Sequence, residues 1–143
     1  MSQRIVMKIG GTALQHASFG ALSEELVGAA RRDEIVLVHG GGKEVSSYAA
    51  RLGIESHFEN GVRMTGAEEM AVVDMVLAGL VNKRVVRGLA ALGCPAVGLS
   101  GADAGMLTGE AVHDADGRAT RTGRLAHTRP EVLRHLLGGG YLP

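Results

Sequence analysis

Three short stretches of this chain carry residue types suited to binding and moving anions. The first is Lys8-Ile9-Gly10-Gly11-Thr12. A lysine near the C-terminal end of a parallel strand lies at the edge where open α/β sheets bind ligands. The paired glycines after it let the backbone turn with its N–H groups exposed, a geometry suited to phosphate. The second stretch is His39-Gly40-Gly41-Gly42-Lys43. Three successive glycines carry an entropy cost that an ordinary turn does not require. They make sense where an anion approaches the main chain at a helix N-terminus, whose N–H groups and dipole both favour it. The pattern is neither a Walker A loop nor a dinucleotide fingerprint, since Glu44 follows Lys43 and Val45 stands where the last glycine would be. The third is Gly61-Val62-Arg63-Met64-Thr65, in which Arg63 can grip a carboxylate through two parallel hydrogen bonds. Two anion nests after neighbouring strands point to one ligand with more than one anionic group.

The elements that must position these residues follow from apolar periodicity. Residues 5–9 and 35–39 are continuous apolar runs, each stopped by glycines, and they predict buried strands. Residues 17–31 carry Leu22, Leu26, Val27 and Ala30 at helical spacing, and residues 43–52 predict a second helix closed by Gly53. Strands apolar on both faces in β-α-β-α order predict an α/β three-layer sandwich with a mainly parallel central sheet, covered on both sides. Residues 55–64 predict a hairpin turning at Asn60-Gly61. A long helix is expected over residues 67–92, broken near 79–82 and apolar around nearly its whole first half, so that it must be covered from two sides. Residues 95–99 predict a third strand, and residues 106–124 a polar hairpin with a turn at 114–117. A last helix with Pro130 in its first turn is expected to reach residue 137. Tyr141-Leu142-Pro143 then reads as the opening of another strand, so the chain is expected to be the front part of something longer.

Composition narrows the field. The chain has 143 residues, 15 basic and 15 acidic, for a formal charge of zero. That balance argues against a nucleic-acid binder, which needs a basic excess to meet phosphates. Aromatics are only 3%, so Ala, Val, Leu and Met must build the core close to the backbone. The 22 glycines are about twice ordinary usage and show no collagen period. The single Cys94 excludes an internal disulfide and a cysteine-based zinc site. The histidines at 16, 57, 113, 127 and 135 lack metal-ligand spacing, and no metal site is expected from the chain's own residues. His39 is expected to hold its loop by a hydrogen bond, and Glu68-Glu69 reads as first-turn helix chemistry, not an acid/base pair. With no run of 18 apolar residues and no signal peptide, the expectation is a cytoplasmic protein with no membrane partner.

Five motifs in order then carry a resemblance: Lys8-Ile9-Gly10-Gly11, His39-Gly40-Gly41-Gly42, Asn60-Gly61-Val62-Arg63-Met64-Thr65, Leu77-Ala78-Gly79-Leu80-Val81-Asn82-Lys83 and Val97-Gly98-Leu99-Ser100-Gly101-Ala102-Asp103. Over the whole chain they resemble the acetylglutamate kinases of the amino acid kinase family. The resemblance implies transfer of the ATP γ-phosphoryl group, with Mg2+, to the side-chain carboxylate of N-acetyl-L-glutamate in arginine biosynthesis. It implies that Lys8 neutralises the phosphoryl group in flight as the catalytic lysine. Gly10, Gly11 and Gly41 would hold phosphate, and Gly41, Gly42 and Arg63 the amino-acid substrate, with Arg63 on its α-carboxylate. It also implies a homodimer through the helix around residues 67–80, and a place for the 106–124 hairpin in the lid over the acetyl group.

The resemblance carries departures. Family members run to roughly twice this length, so residues 1–143 correspond to the N-terminal amino-acid-substrate-binding domain, and the C-terminal ATP-binding domain is not present in this chain. Such a chain alone is expected to be inactive. Ala102 stands where the family often has lysine, and no role passes to it. Arginine-inhibited members carry a helix before the first strand, where this chain has only residues 1–4, so no feedback through such a helix is expected. Two other readings stay open: a kinase of a related acid, such as an N-acyl or carrier-bound aminoadipate of lysine biosynthesis, or a non-catalytic half-domain binding an amino acid or a partner subunit.

Overall fold

A computed structural model describes residues 2–14, 16–114 and 116–143 of the chain. Strand β1 (Arg4–Ile9) leads through a 3-10 turn at Gly11–Leu14 into helix α1 (His16–Ala30). Strand β2 (Glu34–His39) and helix α2 (Gly42–Arg51) follow, giving the expected β-α-β-α order. β1 and β2 pair in parallel, Arg4 opposite Glu34 through Ile9 opposite His39. The sheet continues on the far side of β2. The Leu37 N–H donates to the Pro143 carbonyl at 2.9 Å, Val97 N–H to Leu142, and Leu142 N–H to Pro95. Leu142 and Pro143 therefore lie between β2 and residues 95–97.

Residues 95–99 do not form the full strand that their apolar run predicts. Their ladder is a single parallel bridge, Ala96 to Leu142, because the neighbour offers only residues 142 and 143 for pairing. The α/β class with a parallel sheet and packed helices holds. The cover expected on both faces is uneven, however. Ile9, Ile35, Met7 and Leu37 join one apolar cluster with Leu26 and Val27 of α1, Val45 and Ala49 of α2, and the long helix beyond. On the other face Val6 is 68% exposed and Val38 46%. The buried apolar side chains of the helices other than α5 (Glu131–Gly138) go into the one cluster, which leaves little to cover the second face.

The hairpin forms as its turn residues predict: β3 (Phe58–Glu59) pairs antiparallel with β4 (Val62–Arg63). Asn60 and Gly61 have φ of 49° and 80°, the left-handed pair that a two-residue hairpin turn requires. The break expected near residues 79–82 is absent. Helix α3 (Ala67–Val73) runs into a π-helical segment (Asp74–Val81) and on into α4 (Asn82–Ala91) without leaving helical backbone. Val72, Val76, Val81, Val85 and Leu89 form its buried side, while Met75 is 59% and Leu80 38% exposed. Gly79 therefore lies within a π-helical segment that does not end the helix, in keeping with π-turns inside α-helices.

The polar hairpin comprises β5 (Leu107–His113) and β6 (Ala119–Thr128), longer than expected at its far end. Within the turn expected at 114–117, Ala115 lies outside the described residues, as do Met1 and the side chain of His16. Pro130 occupies the cap position just before α5, not its first turn. Cys94 is buried at 6% exposure, and burial pushes its thiol up from the ordinary value, partly offset by the Arg31 guanidinium. No helix among the described residues is long and apolar enough to cross a membrane.

Candidate active site

The parallel pairing of β1 with β2 brings their C-terminal turns together. The Gly40 N–H donates to the Ile9 carbonyl at 3.0 Å, extending the ladder one rung past the strands. A Cβ on Gly11 would lie 3.2 Å from the Gly41 Cα and 3.3 Å from its N. The two turns thus touch backbone to backbone, and a side chain on Gly11 would push them apart. On its other side Gly41 is closed by the long helix, where a Cβ would meet Leu77 Cδ2 at 2.6 Å and Val81 Cγ2 at 3.3 Å. Among the described residues, the N–H groups of Gly11, Gly41 and Gly42 donate to no protein acceptor. They form a cluster of unused donors where α2 begins, as phosphate-binding nests require.

Lys8 is exposed in β1, opposite Val38 and three residues before Gly11. Among the described residues it pairs with no carboxylate. The carboxylate nearest the cradle is already neutralised: Glu44 receives Arg84 Nη2 at 2.6 Å. Glu44 Oε2 and Arg84 Nε remain buried without partners. Among the described residues, no three His, Cys, Asp or Glu side chains are grouped to hold a metal ion.

Arg63 is drawn toward the glycine triplet from β4. Its Nη2 donates to the Gly42 carbonyl at 3.2 Å and to Ser46 Oγ at 2.6 Å, both in the first turns of α2. Its Nη1 donates to Ser56 Oγ and to Glu69 Oε1, the latter at 2.5 Å. The guanidinium also stacks on Phe58, 4.6 Å from the ring centre, a favourable cation–π contact. Strand β6 is stitched to the same segment: the Arg121 N–H donates to the Thr65 carbonyl at 2.8 Å, the Thr65 N–H to Thr122 Oγ1, and the Thr122 hydroxyl to the Arg63 carbonyl. Glu69 departs from the first-turn role expected of it. It is only 4% exposed and forms an ion pair with Arg63. Ser46 and Ser56 gave no signal in the sequence, since an isolated serine in a helix or loop has many uses.

A second set of contacts ties the glycine triplet to the loop after residues 95–97. His39 donates from Nδ1 to the Gly40 carbonyl at 3.1 Å, which leaves Nε2 as the acceptor of the Asn82 amide at 3.2 Å. Asn82, 6% exposed, also donates to the Leu99 carbonyl at 3.4 Å and accepts from Lys83 Nζ at 3.1 Å. Lys83 reaches the Gly98 carbonyl at 3.2 Å. The holding role expected for His39 is thus met, and Asn82 is the residue that motif reading left without a role. Asp103 caps the same loop, accepting from the Ser100 N–H at 2.5 Å and the Ser100 hydroxyl at 3.0 Å.

These two bonds, the backbone one first, hold the Asp103 carboxyl below its ordinary value, with Lys83 assisting. A depressed carboxylate stabilises the loop above the ordinary aspartate range, and that contribution is lost as pH falls through the depressed value. The Ser100 amide resonance is therefore expected to titrate with a midpoint below the ordinary aspartate value. Ser100→Ala should move that midpoint up, and a midpoint at or above the ordinary value would contradict the cap.

Residues 3–143 match the model of the Amino acid kinase family. The chain is 45% identical over 150 residues to the acetylglutamate kinase of Synechococcus sp. (strain CC9311), covering 99% of this chain and 50% of that protein. It is 39% identical to the acetylglutamate kinase of Geobacillus kaustophilus (strain HTA426), covering all of this chain and 55% of that one. The chain thus spans about half the length of these relatives. Among solved structures, smu.665 from Streptococcus mutans UA159 superposes with a TM-score of 0.81 at 25% identity, covering 98% of this chain and 56% of that one. N-acetylglutamate synthase from Neisseria gonorrhoeae, solved with coenzyme A and N-acetyl-glutamate, shares the fold with a TM-score of 0.77 at 23% identity, over 99% of this chain and 32% of that one. The touching glycine turns, the lysine ahead of them and the match over residues 3–143 lead to one conclusion: the chain belongs to the amino acid kinase family.

Proposed function

We propose that this chain is the amino-acid-binding half of an acetylglutamate kinase, whose whole protein moves the ATP γ-phosphoryl group to the side-chain carboxylate of N-acetyl-L-glutamate. The observation that carries the reading is the contact of the Gly11 turn with the Gly41 turn, with Arg63 bonded to the residue that follows, Gly42. It places unused N–H donors and a guanidinium within one short stretch, which suits an acceptor with two carboxylates. Relatives named acetylglutamate kinase over the full chain support the same substrate.

In this reading Lys8 offsets charge on the phosphoryl group in transit, and Gly10, Gly11 and Gly41 hold it through main-chain N–H groups. Gly41, Gly42 and Arg63 hold the substrate. Phosphoryl transfer depends on such positioning and neutralisation more than on a covalent nucleophile. ATP use follows from kinase membership, and the unused N–H groups of Gly11, Gly41 and Gly42 suit a phosphoryl group. The described residues offer no carboxylate cluster for Mg2+, so no step is assigned to the metal here. The protein is assigned to the cytoplasm, and a homodimer through residues 67–80 would account for the exposed apolar Met75 and Leu80.

The test is ADP release by the product of the intact gene, supplied in turn with N-acetyl-L-glutamate and with N-acyl-aminoadipate. N-acetyl-L-glutamate should be preferred. Arg63→Ala should raise KM for it at least about tenfold while leaving kcat within a few-fold, as loss of uniform substrate binding does. Equal turnover of both acids, or an Arg63→Ala protein with unchanged KM, would overturn the assignment.

A further inference from the structure

A guanidinium carries five N–H donors, and in Arg63 four of them are already in use. Nη1 serves Ser56 and Glu69, and Nη2 serves Ser46 and the Gly42 carbonyl, leaving only Nε–H. A bidentate grip on a carboxylate needs two adjacent N–H groups. Every such pair on Arg63 includes at least one that the protein occupies. An incoming carboxylate must therefore displace a protein acceptor, and among these only Glu69 is charged.

Glu69 makes that exchange unfavourable by either route. If it is displaced, a carboxylate that is 4% exposed keeps only the Ser56 hydroxyl as partner, and a buried charge without its counter-ion is strongly disfavoured. If it stays, two carboxylates crowd one guanidinium in a poorly solvated site, and like charges there repel. We propose that Glu69 is a built-in competitor for the ligand carboxylate at Arg63, and that it sets the affinity and selectivity of that position. The proposal rests on the reading of Arg63 as the residue that takes the substrate's α-carboxylate.

Glu69→Gln keeps the size of the side chain and an oxygen for Arg63 and Ser56 but removes the charge. Binding is measured on the product of the intact gene by calorimetric titration, with N-acetyl-L-glutamate and with 4-acetamidobutyrate. The second ligand has the same acetamide and side-chain carboxylate but no α-carboxylate. Glu69→Gln is expected to bind N-acetyl-L-glutamate about tenfold more tightly, with 4-acetamidobutyrate unchanged. A wild-type chain that prefers N-acetyl-L-glutamate, with a Glu69→Gln chain that binds it equally or less tightly, would overturn the role of Glu69 alone. A gain of equal size for both ligands would overturn it too, because the effect would not act through the α-carboxylate. If neither chain distinguishes the ligands, the Arg63 reading fails and takes this proposal with it. Should Glu69→Gln not fold, Glu69→Ser carries the same expectation through the same two ligands.

Discussion

Gly98→Ala is expected to lower the thermal midpoint of the chain by about 10 °C, the equivalent of about 3 kcal/mol for a domain of this size. A Cβ at this position would lie 1.8 Å from Asn82 Oδ1, 2.7 Å from its Cγ and 2.9 Å from Val86 Cγ2. No rotation of a methyl group relieves such overlap, so Asn82 must leave its place. In leaving, it abandons His39 Nε2, the Leu99 carbonyl and Lys83, and buried polar groups without partners add to the steric cost. Gly28→Ala in α1 is the internal control. A Cβ there meets nothing within 4 Å, and alanine should stabilise the helix by about 0.5–1 kcal/mol. Thermal unfolding followed by circular dichroism reads both. In the Gly98→Ala background, Asn82→Ala should recover part of the loss, because it removes two of the three overlapping atoms. A Gly98→Ala chain melting within about 2 °C of the wild type would show that Asn82 is not held where its hydrogen bonds place it.

The contrast between these two glycines shows where a sequence stops being informative. Asn60-Gly61 announces its turn because the requirement is local: two consecutive residues must take positive φ, and these residue types allow it. The strands and the glycine turns after them are legible for a similar reason, as apolar runs ending in flexible backbone. Once β1 and β2 are taken as parallel neighbours, the meeting of Gly11 with Gly41 follows from the register. Glu69 is different. Its position in the first turn of α3 suits a solvated acid, and only the arrival of Arg63 from β4 and Ser56 from the preceding loop makes it a buried partner. The three elements that meet there are fixed by tertiary packing, which outweighs helix-position preference. The expected break at residues 79–82 failed in the same way. Gly79 and Asn82 weaken a helix in isolation, but Val76 and Val81 are buried in the core, and Leu77 and Val81 pack on Gly41. Asn82 itself is satisfied by His39 and Leu99, so it has no reason to cap or end the helix.

On the proposed function, Lys8→Ala in the product of the intact gene is expected to reduce kcat by about 10²–10³ while KM for N-acetyl-L-glutamate changes only a few-fold. The expectation comes from the place of Lys8 in β1, three residues before Gly11, and from what its side chain is not doing. Lys8 is exposed and, among the described residues, pairs with no carboxylate, so its ammonium is available to an anion that arrives at the Gly11–Gly41 cradle. Arg63, by contrast, is bound by four protein acceptors and serves better as a fixed anchor than as a mobile counter-charge. On the proposed function the two cations should therefore divide kcat from KM, the free one acting on the group in flight and the anchored one on the standing substrate. Lys8→Arg tests the point further, since it keeps the charge but replaces a compact ammonium with a planar fork that cannot occupy the same place. It should recover only part of the rate. Lys43, exposed beside Gly42, is the control for bulk charge near the site. If Lys43→Ala lowers kcat as much as Lys8→Ala, the effect belongs to the field of the whole surface. Lys8 would then have no particular hold on the transferring group.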